Sequence, residues 1–310
     1  MSFTDTSSRP QNLSRGVILV IAAAFTISLQ DVAIKLFSTQ LTLWQIFFLR
    51  GMLMLPLLFA LARMQGLHRV LLRLALEKWV LIRSLCLTST FLAFYAALPF
   101  LNLSTVGAAN YVAPIFVTLL SAYVIAEPVG PRGWLAVFIG FLGVILLLQP
   151  GTDAFSFWAV LPLIGAAFYA MAHITTRVKC HDVPLSAVAL SLNLVMMAAG
   201  GLGSLIIKFT TPPDTLIHSY PYIFGNWGSL GITEWQILFF LACVSLVIYM
   251  LLAGAYQAAP PSKVATFEYT YLIFVMIWDY FFFALLPNAL SLFGMALIVG
   301  AGLMVLRKQR

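Results

Sequence analysis

The chain has 310 residues, of which 62% are hydrophobic and 9% charged, with a net charge of +7 and a mean hydropathy of +1.00. A soluble domain carries about 25% charged residues, so this composition excludes a surface that faces water on all sides. Lipid is the main solvent, and the fold expected is all-α.

Apolar runs long enough to cross a bilayer recur along the chain. They fall at 15–36, 43–62, 79–98, 103–125, 134–148, 156–178, 184–207, 235–255, 262–284 and 290–306, which makes ten spans. Trp44, Trp79, Trp134, Trp158 and Trp235 sit at span ends, where an interfacial aromatic belt belongs. The run 134–148 is the shortest and spans only if its boundary is soft. Residues 1–14 are polar and the first run is too long for a cleavable signal, so the first span is expected to stay as an anchor. Cys86, Cys180 and Cys243 have no framework spacing; Cys86 and Cys243, which lie within spans, read as small packing residues.

The basic excess does not point to nucleic acid. With the N-terminus cytoplasmic, the inside segments hold Arg63, Arg69, Arg73 and Lys78, then Arg177 and Lys179, then Arg307, Lys308 and Arg310, whereas the outside segments hold only Lys208. This positive-inside bias places both termini in the cytoplasm and requires an even number of spans.

Ten spans divide into five and five, over 15–150 and 156–306, with a long extracytoplasmic loop at 208–234. An odd number per half makes the second half enter with opposite orientation. The sequence echoes itself accordingly. Ser104, Val106, Tyr111 and Ala126 meet Ser262, Val264, Tyr269 and Ala284 at an offset of 158 positions, which sets Asn110 opposite Glu268. At an offset of 143, Ala24 and Phe25 meet Ala167 and Phe168, which sets Gln30 opposite His173 and Arg50 opposite Asn193. Inverted repeats predict a pseudo-two-fold axis in the membrane plane and a site near the midplane.

The polar residues inside the spans are the candidates for that site. In the first span, Asp31 and Lys35 are four apart and share a face. Two readings stand: an outer-end ion pair with Lys35 reaching for water, or a substrate role beside Gln30. Arg50 lies about 10 Å into the second span, and its guanidinium needs a partner or a wet cavity; Asp31 is nearest by depth. Arg83, about 6 Å into the third span, reads as reaching back to the inner interface, and Tyr95 closes the span. The fourth span holds Asn110, Tyr111 and Pro114, and the proline frees a backbone carbonyl. Glu127 and Arg132 read as a solvated pair at its inner end. Gly140, Gly143, Gly294, Gly300 and Gly302 read as packing residues.

The sixth span carries Tyr169, His173 and Thr176; a histidine there is either a packing residue or a ligand. The outer loop 208–234 is either a lid or an idle connector. The eighth span ends in Tyr256 and Gln257. The ninth holds Glu268, Tyr269, Tyr271 and Asp279, with Glu268 about 9 Å from the inner end. A carboxylate in lipid needs a partner or a proton, so Glu268 is either a proton-coupling group or one half of a salt bridge to Arg83. No GxxxxGK loop, HExxH, GxSxG or CxxC motif is present, which argues against an enzyme and implies no cofactor or metal.

This arrangement resembles the drug/metabolite transporter superfamily, specifically its EamA-type ten-helix members. The residues that carry the resemblance are Asp31, Lys35 and Arg50, the run ANYVAPIFVTLLSAYVIAEP ending near Glu127, the FEYT segment at 267–270, and the glycine-bearing fifth and tenth spans. The resemblance implies spans 1, 3, 4, 6, 8 and 9 around a central cavity, spans 5 and 10 at the periphery, and alternating access. It implies a small-molecule substrate, from amino acids and vitamins to nucleotide-like compounds, but neither its identity nor its direction. The Asp31, Lys35 and Arg50 pattern is similar to that of riboflavin and S-adenosylmethionine carriers. One departure is that Leu285 stands in the second half where Glu127 stands in the first.

The expectation is therefore a secondary transporter in the inner membrane. Tyr95, Tyr111, Tyr169 and Tyr269 would contact the substrate, and Gln30, Asn110, His173 and Gln257 would orient it. Arg50 would meet an anionic group and Glu268 an amino group or a coupling proton, Asp31 belongs to the same binding set, and Lys35, Arg83 and Glu268 would serve charge balance or coupling to a proton or counter-substrate. The rival readings are an intramembrane lipid-modifying enzyme and a non-transporting scaffold.

Overall fold

The computed structural model describes residues 12–37, 40–101, 103–110, 112–125, 130–148, 156–260, 263–264, 267–268, 270–284 and 288–306. Among these residues every regular element is helical. A chain immersed in lipid has no water to satisfy its backbone, so it bonds each N–H to its own carbonyl four residues back.

The first predicted span is α1, Leu13–Phe37, and the second is α2, Leu43–Met64. The Thr42 hydroxyl caps α2 by accepting from the Gln45 N–H at 3.3 Å. A short helix α3, Leu71–Ala75, occupies the inner basic loop, and α4 follows at Lys78–Ala97. The fourth predicted span is two helices, α5 at Leu103–Asn110 and α6 at Ala113–Val124. Pro114 lies in the first turn of α6, where its missing N–H costs no helical bond. The short fifth run is longer than its apolar core suggested: α7, Pro131–Leu148, has 18 residues because Pro131 starts the helix one turn earlier. A single 3-10 turn, Phe157–Ala159, leads into α8, Val160–Lys179, and α9 is Leu185–Thr210.

The outer loop contains α10, Asp214–Ser219, and α11, Pro221–Phe224. It is tied down: Trp44 Nε1 donates to the Ile223 carbonyl at 2.8 Å, Gln45 exchanges two hydrogen bonds of 3.0 Å with Gly228, and Trp227 Nε1 donates to Ser204 Oγ at 2.9 Å. Burial pushes the Tyr222 hydroxyl above the ordinary tyrosine range. Then come α12, Ile232–Ala258, α13, Thr270–Phe283, and α14, Ala289–Leu306.

Six of these helical segments are long and apolar enough to cross a membrane: Leu13–Phe37, Leu43–Met64, Lys78–Ala97, Phe157–Lys179, Leu185–Thr210 and Ile232–Ala258. Shorter apolar helices lie at Ile115–Val124, Gly133–Gly143, Thr270–Phe283 and Leu292–Ala301. The outward faces keep large apolar side chains exposed, among them Phe138, Leu202, Phe209 and Phe281, as a lipid-facing surface requires. The protein is thus a multi-pass membrane protein.

The packing partners are α1 with α12, α4 with α8, α2 with α9, and α7 with α14. Small residues permit these approaches: Ala23, Ala24, Ala166, Ala172, Ala187 and Ala255 are all buried. The closest is α2 against α9. A Cβ on Gly200 would lie 2.6 Å from the Phe48 amide nitrogen and 2.7 Å from the Trp44 carbonyl oxygen, so only glycine fits there without moving backbone.

Candidate functional site

Two carboxylates lie at the centre of the bundle, and each is held by two tyrosines. Asp31, on α1, is 1% exposed. Tyr95 of α4 donates to its Oδ1 at 3.0 Å and Tyr271 of α13 donates to its Oδ2 at 2.7 Å. Gln30 Nε2 donates to the Tyr95 hydroxyl at 2.9 Å, and Ser245 of α12 donates to Gln30 Oε1 at 2.7 Å. Four elements therefore converge on one carboxylate. Gly107 of α5 makes room for this: a Cβ there would lie 2.8 Å from the Tyr271 ring.

Glu268, 5% exposed, accepts two hydroxyls on the same Oε1, from Tyr169 of α8 at 2.7 Å and from Tyr256 of α12 at 2.6 Å. His173, one turn beyond Tyr169, sits against both rings, 4.1 Å from Tyr169 and 3.9 Å from Tyr256 between centroids. Neither imidazole nitrogen has a hydrogen-bond partner among the described residues.

Asp31, Thr90, Tyr95, Asn110, Tyr169 and Glu268 line one cavity, closed by Phe91, Phe94, Leu252 and other apolar side chains. It offers about 50 Å³ to water-sized molecules. One water needs about 10–15 Å³ on this measure, so the cavity in this state holds a few waters and no vitamin-sized molecule. Asn110 Oδ1 is buried there without a partner among the described residues. Asn110 and Glu268, set opposite each other by the sequence echo, share this cavity.

The expected cation partnerships are corrected. Arg50 does not pair with Asp31. Its Nη2 donates to Met196 Sδ of α9 at 3.5 Å, and its guanidinium lies 5.5 Å from the Phe47 ring. The tight α2–α9 contact turns the side chain toward α9, while Asp31 is already satisfied by two hydroxyls. Arg83 does not reach back to the interface and does not pair with Glu268. It is 2% exposed and its Nε donates to Thr176 Oγ1 at 2.7 Å, because α4 packs along α8 at that level. Lys35 does not pair with Asp31 either. Its Nζ donates to the Leu101 carbonyl at 3.0 Å and lies 5.0 Å from the Phe283 ring.

Gln257 lies away from the cavity. Its Nε2 donates to the carbonyls of Cys180 and Val183 at 3.0 and 2.9 Å, which holds the α8–α9 turn. Tyr111, Tyr269 and Glu127 lie outside the described residues. Sequence reasoning left Ser245, Thr90, Tyr256 and Tyr271 out of the site. Tyr271 carried a signal, since it lies three residues beyond Glu268 and next to the polar cluster of its span.

Residues 14–149 match the EamA-like transporter family model. A pseudopaline exporter of Pseudomonas aeruginosa is 26% identical over 302 residues, covering 96% of this chain and 98% of the exporter. A riboflavin transporter of Brucella anthropi is 27% identical over 207 residues, 66% of this chain and 67% of that one. An S-adenosylmethionine uptake transporter of Rickettsia prowazekii is 20% identical over 295 residues, 95% of this chain and 93% of that one. A solved crystal structure superposes with a TM-score of 0.67 at 17% identity, covering 94% of this chain and 96% of that one; at that identity it speaks to the fold alone.

Proposed function

We propose, with the match to the EamA-like transporter family as premise, that this chain is a secondary transporter of a small organic metabolite in the cell inner membrane. It crosses ten times, as two inverted halves over 15–150 and 156–306 with both termini cytoplasmic. The halves alternate access to a site near the midplane. The packing supports the inversion: exchanging spans 1–5 with 6–10 turns the α1–α12 contact into the α4–α8 contact and maps α2–α9 and α7–α14 onto themselves.

The observation that carries the transport reading is the cavity between the halves. It is lined by a carboxylate from each half, Asp31 and Glu268. Among the described residues, neither carboxylate has an ion-pair partner, and neither do the buried Arg50 and Arg83. Membrane-buried charge is costly unless it is paired or serves a ligand. Carboxylates and guanidiniums that leave each other free suit a substrate carrying both polar and charged groups. Arg50 meets its anionic group, Glu268 an amino group or a coupling proton, and Asn110 and the tyrosines its polar edges.

The test is uptake into proteoliposomes from a panel of amino acids, vitamins and nucleotide-like compounds, with and without a pH gradient. Arg50→Ala and Glu268→Ala are expected to abolish flux while the protein still inserts. Flux at wild-type level in both variants would remove them from the site.

A further inference from the structure

Arg83 is the buried group that the cavity does not absorb. It enters from α4 five residues past Lys78, on the inner side of Glu268 in the orientation proposed above. It is 2% exposed. Of its donors, Nε is satisfied by the neutral hydroxyl of Thr176, and Nη1 is buried with no partner among the described residues. Among the described residues no carboxylate forms an ion pair with it. From α8 come Thr176, His173 and Tyr169, the last with its hydroxyl committed to Glu268, from α12 comes Tyr249, and Cys180 follows α8. Its positive charge acts on His173, whose two ring nitrogens are also unpartnered and whose ring is 0% exposed.

A guanidinium presents a planar fork of donors matched to an oxyanion. Enclosing one with only a hydroxyl for company is unfavourable relative to a paired state. Evolution of a packing contact alone is served better by leucine or methionine at this level. The combination is that of a half-built oxyanion site: one fork, one hydroxyl already orienting it, and a second free nitrogen donor or acceptor beside it.

We propose that Arg83, oriented by Thr176 and flanked by His173, forms a second, inner subsite for the carboxylate or phosphate group of the transported molecule. The subsite is distinct from Arg50 and is engaged between the central cavity and the cytoplasmic side. This rests on the transporter reading for its place in a cycle, but oxyanion binding itself does not require transport.

The experiment is equilibrium binding of radiolabelled benzoate and of inorganic phosphate to the full-length protein in lipid nanodiscs. The wild type is compared with Arg83→Gln, Arg83→Lys and a control at the outer end of α9, Lys208→Gln. Wild type and the control bind alike. Arg83→Gln loses affinity by about tenfold or more, the range for a hydrogen bond to a charged group. Arg83→Lys, which keeps the charge but not the fork, is intermediate and covers the case in which the glutamine variant does not fold. Whichever probe binds more tightly identifies the group as carboxylate or phosphate. Equal binding by wild type and Arg83→Lys together with Arg83→Gln, or no binding of either probe by wild type, overturns the subsite. Binding that depends on Arg83 in a protein that moves no solute in liposomes upholds the subsite and removes the transporter reading instead.

Discussion

The two hydroxyls on Glu268 Oε1 give the most direct test of the site's physical design. Tyr256→Phe deletes the 2.6 Å bond and Tyr169→Phe the 2.7 Å bond, while the phenyl rings stay to pack on His173. A hydrogen bond to a charged acceptor contributes about 1.5–3 kcal/mol, so each single variant loses stability in that range. The two bonds share one oxygen. With either tyrosine left, the carboxylate keeps a donor; with neither, that oxygen is buried and unsatisfied, which adds about 1–3 kcal/mol. The double variant is therefore expected to lose more than the sum of the singles by at least about 1 kcal/mol, within the usual range for groups in one network. Reversible unfolding in mixed micelles with increasing dodecyl sulfate measures all four corners of the cycle. Losses that add to within about 0.5 kcal/mol, the behaviour of independent sites, would refute the shared-acceptor geometry.

Gly200→Ala introduces a Cβ 2.6–2.7 Å from backbone atoms of Phe48 and Trp44. It is expected to destabilise the fold by about 1–3 kcal/mol, as overpacking does, measured by the same unfolding assay; no loss would mean that α2 and α9 are not in close contact. Gln45→Ala removes both hydrogen bonds to Gly228, and backbone amide exchange across 221–231 should rise at least about fivefold, with α1 unchanged as an internal reference. Unchanged exchange in that loop would show that other contacts hold it.

The span pattern was legible because lipid imposes it. Any run that must satisfy its own backbone and present apolar side chains to hydrocarbon declares itself in composition. The ends of α1, α2, α4 and α9 lie within a few residues of the predicted runs. Legibility failed at α7, where a proline rather than an apolar residue starts the helix. At the site, depth was readable from counting along a helix, which set Glu268 about 9 Å from the inner end of its span and Asn110 a similar distance from the outer end of its own. Partnership was not readable. Asp31 and Lys35 are four apart on one helix, yet Asp31 turns to Tyr95 and Tyr271 while Lys35 turns to Leu101. Arg50 and Asp31 match in depth, yet the arginine faces Met196.

A residue's distance along its own span follows from local order alone, because a helix advances about 1.5 Å per residue whatever surrounds it. For this chain that was enough to establish a membrane-embedded helical bundle with polar groups held inside. Which neighbour each polar group meets depends on rotation about the helix axis and on how closely adjacent helices approach. Those are settled by small residues such as Gly107 and Gly200 meeting large ones from distant parts of the chain. Only the packed tertiary structure could pair each carboxylate with two tyrosines and leave the arginines to neutral partners.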